Sequence, residues 1–345
     1  MTITTRRGKA LWFTGARQAA LLDEDVAPPG ADEVTIRAIT SLVSAGTEML
    51  VYRGQIPAED DLGLETCAGT FGFPVKYAYQ VLGEVIAAGA ATRYTPGDIV
   101  FARHPHQDLF TMRDNPLLLF AVPSDLAVER AAFANLLDVA LNCHLDVPVR
   151  HGDVVVVYGQ GVVGGFCAQL ARRTARTLIV VDALPGRRET ALAWGADAAV
   201  APQNAPDAID EWSKGRGADI SIEASGAPAA LQAALRTTGQ EGTIAVVSFF
   251  GGRTVPLVLS PEFHYRRQRV ISSQVSSIGS GLQPRWSMER RMETVFDLLR
   301  RPWLHTVVSR RMPFPDAPEA YRLIDEHPEQ GMGVLLDYDQ PTAGA

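Results

Sequence analysis

Two groups of residues in this 345-residue chain have types and spacings suited to chemistry. The first is Gly159-Gln160-Gly161-Val162-Val163-Gly164, which follows an apolar run and opens an amphipathic stretch. A G-x-G-x-x-G turn in that setting serves a dinucleotide. Its first glycine allows a tight turn, the second lets the backbone approach a pyrophosphate, and the third lets helix and strand pack closely. Free N–H groups and the positive end of the helix dipole then face the phosphates. Glycine-rich turns are common, so the motif needs company. Here the next apolar run ends at Asp182, 18 residues after Gly164, where a carboxylate can accept hydrogen bonds from an adenosine ribose. Asp182 would repel a 2′-phosphate, which favours NAD(H) over NADP(H). Arg187 and Arg188 either soften that preference, sit beside the adenine, or face solvent. A methyltransferase with an adenosyl cofactor is the rival reading of the glycines. Three more loops count against it: 223–228 with Ala224 and Ser225, 248–252 with Phe249 and Phe250, and 272–277 with Ser273 and Gln274. Each follows a predicted strand, at the edge where open α/β sheets bind ligands.

The second group is His104-Pro105-His106, two imidazoles in a polar loop, with Glu48 or Asp108 as a conceivable third ligand. Imidazole is the commonest transition-metal ligand. A pair of histidines in a loop is nevertheless more often a surface or substrate contact. Cys67, Cys143 and Cys167 share no short spacing and make neither a disulfide framework nor a zinc lobe, a pattern suited to a reducing cytosol.

The elements that must hold these residues follow from periodicity. To about residue 122 the chain reads as short strands cut by Gly, Pro and Asp turns, such as 10–15, 33–40, 80–89 and 98–104, with Thr95-Pro96-Gly97-Asp98 as a turn. Residues 124–145 have helical spacing and bridge to the next region. Residues 152–275 alternate apolar runs with amphipathic segments, which predicts a doubly wound parallel sheet of six strands. Two helical segments and the apolar run 333–339 have no place in that sheet and are expected to return to the first domain. The tail 340–345 reads as unstructured.

Bulk properties narrow the function classes. A chain of this length predicts two domains, and 46% hydrophobic residues fill two cores. The net charge of −7 argues against sequence-independent nucleic-acid binding. The arginine pairs Arg6-Arg7, Arg172-Arg173, Arg266-Arg267 and Arg290-Arg291 read as solvated faces. Without a membrane-length apolar run or a signal-peptide core, the expectation is a soluble, cytoplasmic protein.

With these motifs in place the chain resembles a medium-chain dehydrogenase/reductase over nearly its whole length. The likeness lies in Ser44–Gly54, Thr95–Phe101, Gly159–Gly164, Arg187–Asp197, Ile222–Leu235 and Ala317–Ile324. Ser44–Glu48 together with Ser272–Val275 is similar to the bacteriochlorophyllide-dehydrogenase-like branch. The resemblance implies a Rossmann dinucleotide-binding domain over 146–278 and a β-rich GroES-like catalytic domain from 1–145 and 279–345. It also marks where this chain departs from zinc-dependent members. Their cysteine ligand is replaced by Ala45, their histidine ligand by Tyr79, and a third ligand position falls near Asn135. No cysteine lies between Val100 and Val122, where those members keep a structural zinc lobe. Catalytic zinc needs three good donors with one position open, so no metal is expected.

The resemblance then places Thr47 at a proton-relaying hydroxyl and leaves Tyr79 to aim a phenol at the reacting oxygen, its pKa lowered near a positive nicotinamide. Glu48, His104 and His106 are the alternatives. Tyr79 could equally be a packed aromatic filling the vacated space, and Thr47 a turn hydroxyl capping its own backbone. The implied activity is zinc-independent hydride transfer between NAD(H) and a secondary alcohol or ketone of a biosynthetic intermediate. A reductase of a conjugated C=C or C=N bond and a dinucleotide-binding protein without turnover are the alternatives. The run 269–275 would form the outer strand of the cofactor sheet and pair two copies into a homodimer.

Overall fold

A computed structural model describes residues 5–67 and 69–339; the tail 340–345 lies outside the described residues. The chain opens with β1 (Arg6–Gly15), β2 (Gln18–Val26) and β3 (Glu33–Val43), then α1 (Thr47–Tyr52) and β4 (Val81–Ala88). Next come β5 (Ile99–Ala102), β6 (Leu109–Arg113), β7 (Leu119–Ala121), α2 (Val128–Ala131) and α3 (Ala134–Asp146). The middle alternates: β8 (Val154–Tyr158), α4 (Val162–Arg172), β9 (Thr177–Val181), α5 (Pro185–Ala193), β10 (Ala198–Val200), α6 (Ala205–Ser213), β11 (Ala218–Glu223), α7 (Pro228–Thr237), β12 (Thr238–Val246), α8 (Glu262–Tyr265) and β13 (Arg269–Ser272). The chain closes with α9 (Met288–Leu299), β14 (Arg310–Pro313), α10 (Ala317–Glu326) and β15 (Val334–Asp337). Among the described residues no helix is long and apolar enough to cross a membrane.

These elements form two units. The first comprises the described residues up to Asn135, Met292–Arg300, and those from Thr306 onward; the second is Leu136–Arg291 with Arg301–His305. In the second unit, six parallel strands run in the order β10-β9-β8-β11-β12-β13. β8 and β9 are buried along their whole length, as a sheet covered on both faces requires. The strand order reverses between β8 and β11, which opens a crevice at their C-terminal ends. In the first unit, the mostly antiparallel sheet β14-β15-β3-β4-β5-β7 has β6 added on β3, and β1 and β2 make a hairpin. β15 pairs antiparallel with β3, carrying the C-terminal segment into this unit. Its core gathers Phe13, Tyr52 and Tyr321 with centroids 5.0–6.0 Å apart, Phe13 edge to face with both tyrosines and the tyrosines tilted against each other.

Three expectations are corrected. The helix over 124–145 is two, because Ala132 and a fully buried Phe133 make a turn between them. The second unit begins ten residues before the expected 146 and runs on past 278. The cause is a polar network: Arg291, with no exposed surface, donates twice to Asp138 (2.6 and 3.1 Å) and once to Asn142 (2.6 Å). Arg291 is therefore not on a solvated face. It also donates to the carbonyls of Val275 and Ser277, so α3 and the segment after β13 are tied together.

Candidate active site

The dinucleotide turn is built as its glycines require. Gly159 has φ +94°, and a Cβ there would lie 2.7 Å from Cα of Ser225 across the crevice. Gly164 packs so closely on β8 that a Cβ would sit 1.8 Å from the Gly159 carbonyl oxygen. Gly161 differs: a Cβ there would meet nothing within 4 Å. It is also the N-cap of α4 and supplies no side chain to cap the helix, so the first N–H groups remain open to an anion. Val162 and Val163 begin the helix and are half-buried. The side-chain amide of Gln160 is buried with neither its oxygen nor its nitrogen bonded. Asp182 directly follows β9, where its Oδ2 accepts from the Gln160 backbone N–H (2.7 Å) and its Oδ1 from that of Leu184 (2.8 Å). Arg187 approaches Asp182 at 3.9 Å, and Arg188 donates to the carbonyls of Asp182 and Ala183. These arrangements fit a dinucleotide, with the pyrophosphate on α4 and a ribose on Asp182.

The other loops are joined to this turn. Fully buried Glu223 ends β11 and its Oε1 accepts from the N–H groups of Ser225 and Gly226 and from the Ser225 hydroxyl, at 2.6–2.9 Å, while Ala224 donates its N–H to the Tyr158 carbonyl. Arg253 bonds the carbonyls of Gly226 and Phe250, which links the second loop to the third. Phe250 packs on the sheet core, whereas Phe249 is exposed. Ser273 is buried and donates to Asp146 (2.8 Å); Gln274 folds onto Ser276. The Ser273 hydroxyl is thus engaged with α3.

In the first unit, Tyr79 donates to Ser44 Oγ (2.7 Å), and its hydroxyl also meets that of Thr47. The structure therefore brings together the tyrosine and threonine singled out from the sequence and adds Ser44. The expected lowering of the Tyr79 pKa is reversed: burial, aided by the charge of Glu48, raises it above the usual phenol value, so the proton stays on the ring oxygen. Thr47 and Glu48 are consecutive yet point to different partners. Glu48 is fully buried, and its Oε2 accepts from Tyr321 (2.6 Å) and meets His106 Nε2 at 3.2 Å. Glu48 Oε1 and His106 Nδ1 are buried without hydrogen bonds. His104 goes elsewhere, stacking on Phe110 at 3.8 Å with its Nδ1 against the Pro105 carbonyl. Burial pushes its pKa down to about 3, so it is neutral at pH 7. The two histidines thus take separate partners, and among the described residues no three His, Cys, Asp or Glu side chains are placed to hold a metal.

Three positions correspond, by the resemblance, to the ligands of zinc-dependent members. Ala45 offers a methyl, the Tyr79 hydroxyl is held by Ser44 and Thr47, and Asn135 Oδ1 accepts from the Arg103 guanidinium at 3.0 Å. A cation at the third position opposes a second one. This donor set does not fit zinc.

Ser44, Tyr321, Arg103 and Glu223 are site residues that the sequence reading missed. Ser44, Glu223 and Tyr321 lie inside the segments that carry the family resemblance, and Arg103 adjoins His104. No spacing links Tyr321 to Glu48, 273 residues away.

Residues 162–296 match the family described as zinc-binding dehydrogenase. The chain is 31% identical to D-guloside 3-dehydrogenase of Shigella flexneri, over 95% of this chain and 100% of that protein. Its fold is similar to that of 2R,3R-butanediol dehydrogenase from Bacillus subtilis, with a TM-score of 0.78 at 18% identity over 96% of this chain and 100% of the other. It is also similar to an alcohol dehydrogenase of E. coli CFT073 complexed with NADH, with a TM-score of 0.78 at 17% identity over 96% and 99% of the two chains. The near-complete likeness to the guloside dehydrogenase, joined to the turn and loops described above, places this chain in the medium-chain dehydrogenase/reductase superfamily of oxidoreductases.

Proposed function

We propose that the protein is a zinc-independent, NAD(H)-dependent oxidoreductase acting on a secondary hydroxyl, or the corresponding ketone, of a ring-bearing polar molecule such as a glycoside. The similarity to D-guloside 3-dehydrogenase supports the substrate class, since that relative's name places its reaction at position 3 of a guloside. The likeness of Ser44–Glu48 and Ser272–Val275 to the bacteriochlorophyllide-like branch supports a second substrate reading, a hydroxyethyl group on a large ring. When bound, NAD(H) supplies or accepts the hydride. Asp182 favours NAD over NADP by accepting from ribose hydroxyls and opposing a 2′-phosphate.

One observation carries the zinc-free mechanism: the Tyr79 phenol is bonded to Ser44 and Thr47 at a position where zinc members hold a ligand. When substrate is bound, the one O–H of this neutral phenol would turn from Ser44 Oγ to the substrate oxygen, donating a hydrogen bond, or a proton when that oxygen becomes an alkoxide. Ser44 and Thr47 orient it and return the proton. Positioned acid–base groups contribute roughly 10²–10⁴-fold. Tyr79→Phe is therefore expected to lower kcat at least about 100-fold while NADH affinity holds. Turnover that is abolished by chelators and restored by zinc, or a near-normal Tyr79→Phe enzyme, would overturn the mechanism.

The edge position of β13, with Val270 exposed, supports a homodimer paired through that strand. A monomer by light scattering at micromolar concentration would count against the pairing.

A further inference from the structure

A cavity of about 1070 Å³ lies in the first unit and includes none of the residues described above for the dinucleotide or for Tyr79. Four cations line it: Arg6, Arg7 and Lys9 from β1, and Arg37 from β3. Its apolar lining includes Phe314 and Tyr338, which stack with centroids 4.3 Å apart. The carboxylates in the lining are Asp108 and Asp339, and Asp108 already accepts from the Lys9 backbone N–H at 2.7 Å. A cationic hollow in a chain of net charge −7 runs against the overall field.

Arg37 is the informative member. It is half-buried on a central strand, and among the described residues no carboxylate forms an ion pair with it. Glu84 lies opposite in the β3–β4 register without closing to ion-pair distance. Lys9 and Arg7, by contrast, have partners, Asp23 at 2.8 Å and Asp25 at 3.6 Å. A partly desolvated guanidinium without a counter-ion is costly unless an anion arrives. The adjoining aromatic and aliphatic surface would cover an apolar body, and ligand sites combine such surface with a few placed polar groups.

We propose that this cavity binds an amphipathic organic anion, an apolar chain or ring system ending in a carboxylate or phosphate, with Arg37 and Arg6 holding the head group. The site is separate from the dinucleotide-binding turn and does not rest on the proposed oxidoreductase reaction.

The test titrates the full chain with the fluorescent aryl sulfonate 8-anilinonaphthalene-1-sulfonate, then competes it with octanoate, octyl phosphate and octanol below their aggregation limits. The expected result is one saturable site, unaffected by saturating NADH, displaced by octanoate or octyl phosphate and much less by octanol. Comparing the two anions identifies the preferred head group. Arg37→Ala should weaken binding by about tenfold or more, the loss of one charged hydrogen bond. Arg6→Glu, at an exposed position that folding tolerates, should do the same. Displacement by NADH, equal competition by octanol, or unchanged affinity in Arg6→Glu would overturn the proposal.

Discussion

Replacing glycines in the turn after β8 separates what it does for binding from what it does for folding. Gly161 has φ −75° and ψ −170°, open to any residue, and a Cβ there meets nothing within 4 Å. Alanine therefore fits the folded chain and removes freedom from the unfolded one. Gly161→Ala should be stabilised by about 0.4–1 kcal/mol. The same methyl occupies the space through which a pyrophosphate reaches the N–H groups of α4. Losing one charged hydrogen bond costs about 1.5–3 kcal/mol, so NADH affinity should fall about 10- to 150-fold. Gly164→Ala should behave in the opposite sense. Its methyl would stand 1.8 Å from the Gly159 carbonyl oxygen, an overlap with backbone that no rotamer relieves. A cost of about 3 kcal/mol or more is expected. Urea unfolding of both variants, with NADH fluorescence titration of each, gives the two readouts. A Gly161→Ala protein that binds NADH like the parent would refute the placement of the pyrophosphate. A Gly164→Ala protein as stable as the parent would refute the packing argument.

Arg291→Met should destabilise the chain by about 3–5 kcal/mol, because Asp138 loses its bidentate partner inside the protein; Arg291→Met with Asp138→Leu should recover most of that in urea denaturation. His104 carries a pH signature. Its folded pKa of about 3 lies below the ordinary 6.5, so its stabilising contribution is complete above about pH 6.5 and is lost as pH falls toward 3. Between pH 7 and 4.5 the parent should lose about 2–3 kcal/mol more than His104→Phe, compared by urea midpoints. Asp182→Ala should lower kcat/KM for NAD by about tenfold and raise relative use of NADP, since Arg187 and Arg188 would then face a 2′-phosphate without the opposing carboxylate; steady-state kinetics with both cofactors checks this.

The fold expectations that held were those with local causes. Val154–Tyr158, Gly159–Gly164 and Asp182 stand close in sequence, and the rules that connect a buried strand, a glycine turn and a helix act over that range. The parallel sheet followed from strands that are apolar along their whole length alternating with amphipathic helices. The Tyr79 pKa could not be read that way. Motif position suggested a lowered value, but burial and the charge of Glu48 set it, and both come from chain remote in sequence. The Arg290-Arg291 pair shows the same limit. Adjacent arginines look alike in a string of letters, yet Arg291 turns inward because Asp138, 153 residues away, waits there.

The sequence by itself determined the glycine turn, the alternating strand and helix pattern of the parallel sheet, and the residue types at Ala45, Tyr79 and Asn135, because residue type alone decides whether a glycine or a given side-chain atom is present. Tertiary structure alone decided the partners: Ser44 for Tyr79, Tyr321 and His106 for Glu48, Arg103 for Asn135, and the cationic cavity around Arg37. The pairs join residues 32 to 273 apart, and the cavity gathers side chains from both ends of the chain; no local pattern encodes such distances.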